Sequence, residues 1–479
     1  MRFSDIQLLR IVGWVTLAAL LAGMMMSANL WQLERNFPVL PIFGNQPFID
    51  AWLDKVLVAL AILAYASFLL FRKAFLLAVF IGALLVVLLQ DYMRLQPWVY
   101  QYLLICMLVG LGILQKSLKE PLNSLRFILI AIYFYAGLFK INSTFFELAG
   151  ITYLSFLTPH VPKDFMSIVV ILGGAVPFIE MSIAVGLLTK TYRKLALIAA
   201  LGLHSFIIVF VSIRLNWNPV IIPWNIAMMV MLLLLFPSSS EDLWKEVLLN
   251  KMRPSHMALV LLVGMMPLFH FLGLWDTYPS FDLYSYRGTS VKIEWTPEER
   301  DAFLKAYHLN PSDYPKIDSN FRLDDWSYRE LGVPIYPENR VLQRIVKELC
   351  DKGIVQNSVA HLGPVYFEEN SNETIRCKDL SLSRFLRQPV GFALLEFVLV
   401  IHRKHAAYIE PNVNIACAPI TIGFSNERFF MKSTRVGGMD LKHVTSGFQV
   451  EAHRKGITHF LTVKCRDNLV LWHPVIFKV

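Results

Sequence analysis

Through the first 275 or so positions, apolar residues run in long blocks separated by short polar breaks. A helix needs about 20 apolar residues to cross the hydrocarbon core of a bilayer. Nine blocks meet or approach that length: 8–30, 55–71, 74–90, 98–115, 125–142, 165–188, 195–213, 220–236 and 257–275. Only Arg72 and Lys73 separate the second block from the third. The third is therefore expected to be a tight hairpin partner or a re-entrant segment. The first block carries Trp14 and a Met24-Met25-Met26 run and is longer than a cleavable apolar core, so it reads as a retained helix.

After Asp276 the pattern changes to that of a soluble chain. Thr296-Pro297-Glu298-Glu299 is a helix start, with a capping Thr, Pro at the first helical position and acids in the first turn. It predicts a helix over 300–308. A second is predicted over 337–352. The apolar run 391–401 is too short to span and reads as a buried helix or strand. Positions 415–424 and 457–464 have strand character, and 469–478 reads as a closing strand interrupted by Pro474. The expected fold class is a polytopic α-helical membrane protein of about nine transmembrane helices with a C-terminal soluble α+β region. Its expected parts are a helix bundle over 1–275, a mixed helical segment over 276–370 and a basic, His-containing tail over 371–479.

Composition sharpens this. The chain has 479 residues, 55% hydrophobic and 17% charged, and a mean hydropathy of +0.49. Disordered chains, collagens, coiled coils and disulfide-rich mini-domains are excluded, and an ordinary soluble enzyme is disfavoured. The five cysteines form no CxxC motif. The net charge of +9 sits mostly in the tail, where 371–479 holds fifteen Lys/Arg and eight Asp/Glu. It has no nucleic-acid motif, and His402, His405 and Cys465 lack metal-ligand spacing, so neither nucleic acid nor a metal is expected. Between the apolar blocks, basic residues alternate in density. The even loops carry eleven, including Arg72, Lys73, Lys116, Lys119, Arg126, Lys190, Arg193, Lys194, Lys245, Lys251 and Arg253. The odd loops carry at most five, from Arg35, Arg94, Lys140, Lys163 and Arg214. The positive-inside rule then places the amino terminus in the cytoplasm and, after nine crossings, the C-terminal region outside it, in a bacterial inner membrane or an ER-type membrane.

Ionisable groups at membrane depth are the first functional candidates, because each is costly without a cavity or a partner. They are Lys140, Glu180, His204 and His270, with Trp224 and Asn225 as further polar positions; the third loop adds Asp91, Arg94, Gln96 and Trp98. Each has a structural reading as well. Lys140 is close enough to a helix end to snorkel, Glu180 fits a structural ion pair, His204 fits a hydrogen-bonded bundle histidine, and Trp98 and Trp224 fit packing aromatics. The sharper reading takes Lys140 as a general base, since an apolar pocket favours the neutral amine, with Tyr133 or Glu180 tuning it.

The segment Tyr-Phe-Tyr-Ala-Gly-Leu-Phe-Lys-Ile-Asn at 133–142 resembles the aromatic–Ala–Gly–x–x–Lys helix of the vitamin K-dependent gamma-carboxylase family and its bacterial relatives, the HTTM group. Phe145 and Phe146, Tyr153-Leu154, a Gly-rich helix with an acid (Gly173, Gly174, Glu180) and a helix with His204 follow in the family's order. Tyr284-Ser285-Tyr286 and Val291-Lys292-Ile293 resemble its entry into a lumenal β-rich part. The resemblance covers about 8–293. It implies Lys140 as the base that deprotonates a reduced quinone, with Glu180 and His204 in the same pocket and Tyr133 and Asn225 lining a cofactor. No cofactor other than that reduced quinone is implied. One family segment, of Asn-Asn-His-Ser-Tyr type, is replaced by Leu95-Gln96-Pro97-Trp98-Val99-Tyr100, with Trp98 about where the histidine stands. The alternative is a non-catalytic DoxX/MauE-like bundle that scaffolds a redox partner. Membrane lipid and an extracytoplasmic protein are the expected partners. A transporter ranks last, because no inverted repeat is visible.

Overall fold

The computed structural model describes residues 4–44, 46–115, 118–154, 166–214, 218–236, 241–249, 254–314, 317, 321–356, 359–364, 373–377, 420–425, 428–433, 448–455 and 458–465. The expected elements at 391–401 and 469–478 lie outside these residues, as do the loop charges Lys116, Lys163, Lys251 and Arg253. Two compact units divide the chain, Met1–Leu399 and Val400–Val479.

The first unit begins with apolar helices α1 (Asp5–Met26), α2 (Ala51–Phe71), α3 (Ala74–Leu89), α4 (Pro97–Gln115), α5 (Lys119–Phe139), α6 (Ser143–Tyr153), α7 (Met166–Gly174), α8 (Val176–Leu188), α9 (Arg193–Phe206), α10 (Ile221–Leu235), α11 (Trp244–Leu248) and α12 (Pro254–Leu259). Ser4 and Gln7 close a capping box that starts α1. Helix α9 runs on as a π-helical stretch over Ile207–Arg214, and α12 as wider and then tighter turns through Leu272. Among the described residues seven helical stretches are long and apolar enough to span a bilayer, with α7 and α8 counted together as one. The blocks at 74–90 and 220–236 form shorter apolar helices, α3 and α10. The architecture is that of a helical, multi-pass membrane protein. Arg72, in the left-handed region at φ 56°, makes the tight reversal between α2 and α3.

Polar groups at one end of the bundle are closely paired. Arg94 grips Asp54 with two 2.7 Å bonds, both side chains fully buried. It also donates to Leu30 O and Val87 O, each at 3.0 Å, and lies over Trp31. Arg35 reaches Asp91 at 2.5 Å, and Asp91 Oδ1 accepts from the backbone of Leu40 and Met93. This network ties the 30–40 loop to the start of α2 and to the turn at 90–96.

Past the last apolar helix the same unit forms a small α+β layer. Strands β1 (Thr289–Glu294), β2 (Phe321–Arg322), β3 (Val359–Pro364) and β4 (Glu373–Ile375) make an antiparallel sheet in the order β2-β1-β3-β4. Helices α13 (Pro297–Ala306), α14 (Leu323–Leu331) and α15 (Asn339–Asp351) accompany it. The Thr296 cap accepts from Glu299 N as its sequence implies. Helix α15 buries Val341, Leu342, Ile345, Val346 and Leu349, the one-face spacing of an amphipathic helix. A disulfide joins Cys350 to Cys377, so β4 and Cys377, past position 371, belong to this layer. The layer is seated on the bundle through hydrogen bonds. Glu330 Oε1 accepts from Asn36 N and Phe37 N at 2.6 and 2.8 Å, and Gln96 donates to Pro334 O at 3.1 Å. Gly332, at φ 70°, lies against Met26 O where a Cβ would come within 2.7 Å. Arg340 holds Asp276 bidentately, while Glu338 accepts from Thr277 N and Oγ1, both at 2.8 Å.

The second unit contains strands β5 (Ile420–Ser425), β6 (Arg428–Ser433), β7 (Phe448–Lys455) and β8 (Thr458–Cys465) in an antiparallel sheet of order β6-β5-β8-β7.

Two outcomes follow. Arg94→Met leaves the Asp54 carboxylate buried without its partner and is expected to cost about 3–5 kcal/mol. Thermal unfolding in detergent checks this, with Arg94→Met/Asp54→Asn expected to recover part of the loss. Burial, then the neighbouring Asp276, pushes Glu338 up to about 7 from its ordinary 4.5. The folded protein thus favours protonated Glu338. Its contribution to stability is full below about pH 4.5 and is lost as pH rises through about 7. Glu338→Gln should flatten the melting-temperature profile across that window; an unchanged slope would count against it.

Candidate functional site

Tyr133, Ala136, Gly137 and Lys140 fall on one face of α5 and its end, at spacings of three, four and seven residues. Gly137 decides what that face can meet. A Cβ there would lie 2.5 Å from Pro177 O and 2.8 Å from Met181 Cγ, so only glycine allows α8 to come this close. The contact brings Glu180, one turn beyond Pro177, alongside Lys140.

Lys140 Nζ donates to Glu180 Oε1 and Oε2 at 3.0 and 2.8 Å and to Ala136 O at 3.0 Å. All three ammonium hydrogens are accounted for. Both side chains are buried, at 6% and 9% exposure. The snorkelling reading of Lys140 is therefore replaced by an internal ion pair. Close by, the Tyr133 hydroxyl bonds His204 Nε2, and His204 Nδ1 meets Asn225 Oδ1 at 2.6 Å. Asn225 Nδ2 donates to Ile221 O at 2.7 Å. Glu180 also acts electrostatically on Tyr133. The five expected site residues thus form two hydrogen-bonded groups, Lys140–Glu180 and Tyr133–His204–Asn225, contributed by α5, α8, α9 and α10.

A strap over 276–288 covers the end of α5. Asn142 Nδ2 donates to Ser285 O at 3.0 Å, and Asn218 Nδ2 donates to the Tyr284 hydroxyl at 3.0 Å. Phe281, Tyr284 and Tyr286 all have φ between 55° and 63°, a left-handed conformation costly for aromatic residues. Ring contacts of Tyr286 with Phe145 and of Phe281 with Tyr100 offset that cost. His270 joins the strap rather than the two groups, with Nε2 3.0 Å from Asp282 Oδ2 and Nδ1 2.8 Å from Trp275 O.

The remaining polar candidates serve packing. Trp224 donates to Gln101 Oε1 at 2.7 Å, and Gln101 in turn meets Met228 Sδ. Trp98 packs edge-on to Trp31 and Tyr102 and fills the space over Gly23. Trp98 is thus a core indole. Sequence reasoning missed Asp54, Gln101 and Asp282. Asp54 sits just outside the apolar block that begins at 55, although an acid bordering a span opposite a buried Arg94 is itself a pairing signal. Among the described residues no group of three His, Cys, Asp or Glu side chains is arranged to hold a metal ion. No known protein family, curated protein or solved structure matches the chain.

Gly137→Ala should force α5 and α8 apart and lengthen the Lys140–Glu180 contact. The expected cost is about 1–3 kcal/mol from overpacking, read as a drop in melting temperature in detergent. An unshifted melting curve would show that the helices are not held this tightly.

Proposed function

We propose that this protein is a membrane enzyme acting on a quinone-like or other lipid-phase substrate, with Lys140 as the base and Glu180 as its proton-sharing partner. The observation that carries the reading is the buried Lys140–Glu180 pair beside Tyr133–His204–Asn225. Two charges in an apolar bundle lose much solvation. An apolar ligand that completes their burial penalises both, and the shared proton then moves from ammonium to carboxylate. The neutral amine left behind can take a proton from a substrate hydroxyl. The resemblance to the gamma-carboxylase and HTTM group supports a reduced quinone as that substrate.

In this reading the chain crosses the membrane nine times, with α3 and α10 as short spans. The amino terminus is cytoplasmic and the α+β layer extracytoplasmic. The basic residues of the even loops support this orientation, and so does the Cys350–Cys377 disulfide, which is stable in oxidising compartments.

A second reading has its own support. Every hydrogen of the Lys140 ammonium already has an acceptor, as in a structural ion pair. That favours a non-catalytic DoxX/MauE-like bundle that scaffolds an extracytoplasmic partner. The two separate in one assay: oxygen-dependent consumption of a reduced naphthoquinone by the purified full-length protein in lipid nanodiscs. The enzyme reading expects turnover that falls about 10²-fold or more in Lys140→Ala, with melting still cooperative. Retained turnover in Lys140→Ala removes Lys140 as the base. A wild-type protein that turns nothing over but co-purifies with one stoichiometric partner supports the scaffold.

A further inference from the structure

Hydrogen positions along Tyr133–His204–Asn225 follow from valence. Asn225 Nδ2 is spent on Ile221 O, at 2.7 Å on the preceding turn. Its Oδ1 therefore faces His204 Nδ1 at 2.6 Å. An amide oxygen only accepts, so Nδ1 must carry hydrogen. Reversing the amide would set Oδ1 against the Ile221 carbonyl and lose that bond. Among the described residues no carboxylate is bonded to the imidazole, whose ring nitrogens meet only Tyr133 and Asn225. A neutral imidazole has one N–H, and it is committed to Asn225. Nε2 then presents a lone pair, and the Tyr133 hydroxyl bonded to it is the donor. That is the only hydrogen the phenol has. What Tyr133 offers to anything else is its oxygen lone pairs.

We infer that Asn225 is a positioning residue that holds His204 in the Nδ1–H tautomer, and that Tyr133 consequently receives a ligand only through a hydrogen-bond-donating hydroxyl. A carbonyl or ether oxygen brought to the Tyr133 hydroxyl would meet only lone pairs there and gain no hydrogen bond from it. The tautomer half stands on hydrogen-bond geometry. The ligand half rests on the reading that this region of the bundle takes a quinone-like substrate.

The test has a spectroscopic arm and a binding arm, both on the full chain in nanodiscs. Nitrogen NMR of histidine-labelled protein, with His204 assigned by loss of its signals in His204→Gln, should show the Nδ1–H tautomer in wild type. In Asn225→Leu, which cannot accept, it should show a mixture. An Nε2–H tautomer or a doubly protonated ring in wild type overturns the assignment, as does an unchanged spectrum in Asn225→Leu. For binding, the probes are a naphthalene diol, kept anaerobic, and its dimethyl ether, which has the same rings but no donor. Wild type should bind the diol about tenfold or more tightly than the ether, and Tyr133→Phe should lose that preference while keeping its ether affinity. Equal affinities in wild type, or a preference that survives in Tyr133→Phe, overturns the ligand half. If neither probe binds although His204 shows the Nδ1–H tautomer, the quinone-like reading falls and takes the ligand half with it, while the role of Asn225 stands.

Discussion

The approach of α8 to α5 at Gly137 is the contact on which the centre of the bundle depends. A side chain of any size there would collide with the Pro177 carbonyl. Without that approach Glu180 would sit too far from Lys140, and the lysine would be a lone charge at the end of an apolar helix. A solitary ammonium in that setting costs several kcal/mol and would be expelled to the interface or neutralised. Backbone clearance and electrostatics are thus one constraint: a missing Cβ permits a helix contact, the contact permits a counter-ion, and the counter-ion keeps Lys140 inside.

The same logic recurs along the end of the bundle that meets the α+β layer. Arg94 with Asp54, Arg35 with Asp91, Lys140 with Glu180, His270 with Asp282 and Arg340 with Asp276 all lie in or next to the segments joining the helices to that layer. Buried pairs contribute little net stability, but breaking one is expensive, so they define geometry more than they deepen the energy minimum. Here they fix the turn at 90–96, the strap over 276–288 and the end of α5. The strap's left-handed aromatics need that fixing. Phe281, Tyr284 and Tyr286 hold conformations that a free loop would relax.

The long apolar blocks made the helical membrane architecture readable, because length and hydropathy act locally. The cap at Thr296 was readable for the same reason. Lys140, Glu180 and His204 stood out because charge in an apolar run is conspicuous in one dimension. Their grouping was not readable. Nothing in the spacing of 140, 180, 204 and 225 says that Glu180 pairs with Lys140 while Asn225 pairs with His204. That depends on which helix faces which, and Gly137 settles part of it. The Cys350–Cys377 link was equally hidden, since it closes between the end of α15 and the chain just past β4 and follows no short motif. Trp98 illustrates the reverse case, a polar-loop position singled out in the sequence whose indole serves packing.

The two hydrogen-bonded groups differ in spare capacity, and that difference orders any chemistry at the site. Lys140 has no free hydrogen to offer: two go to Glu180 and one to Ala136. Its nitrogen becomes a base only after it gives up a proton, and Glu180 is the acceptor in contact. Tyr133 has given its hydrogen to His204 but retains oxygen lone pairs. In the proposed enzyme reading, a ligand hydroxyl would be received at Tyr133 while the Lys140–Glu180 pair is still charged. Burial by the ligand would then penalise both charges and favour proton transfer from the ammonium to Glu180. On that reading recognition would precede activation, with Tyr133 receiving the ligand and Lys140 removing the proton. The arrangement also satisfies these groups within the bundle itself, since among the described residues Lys140 and Glu180 pair with each other and Tyr133, His204 and Asn225 bond in series.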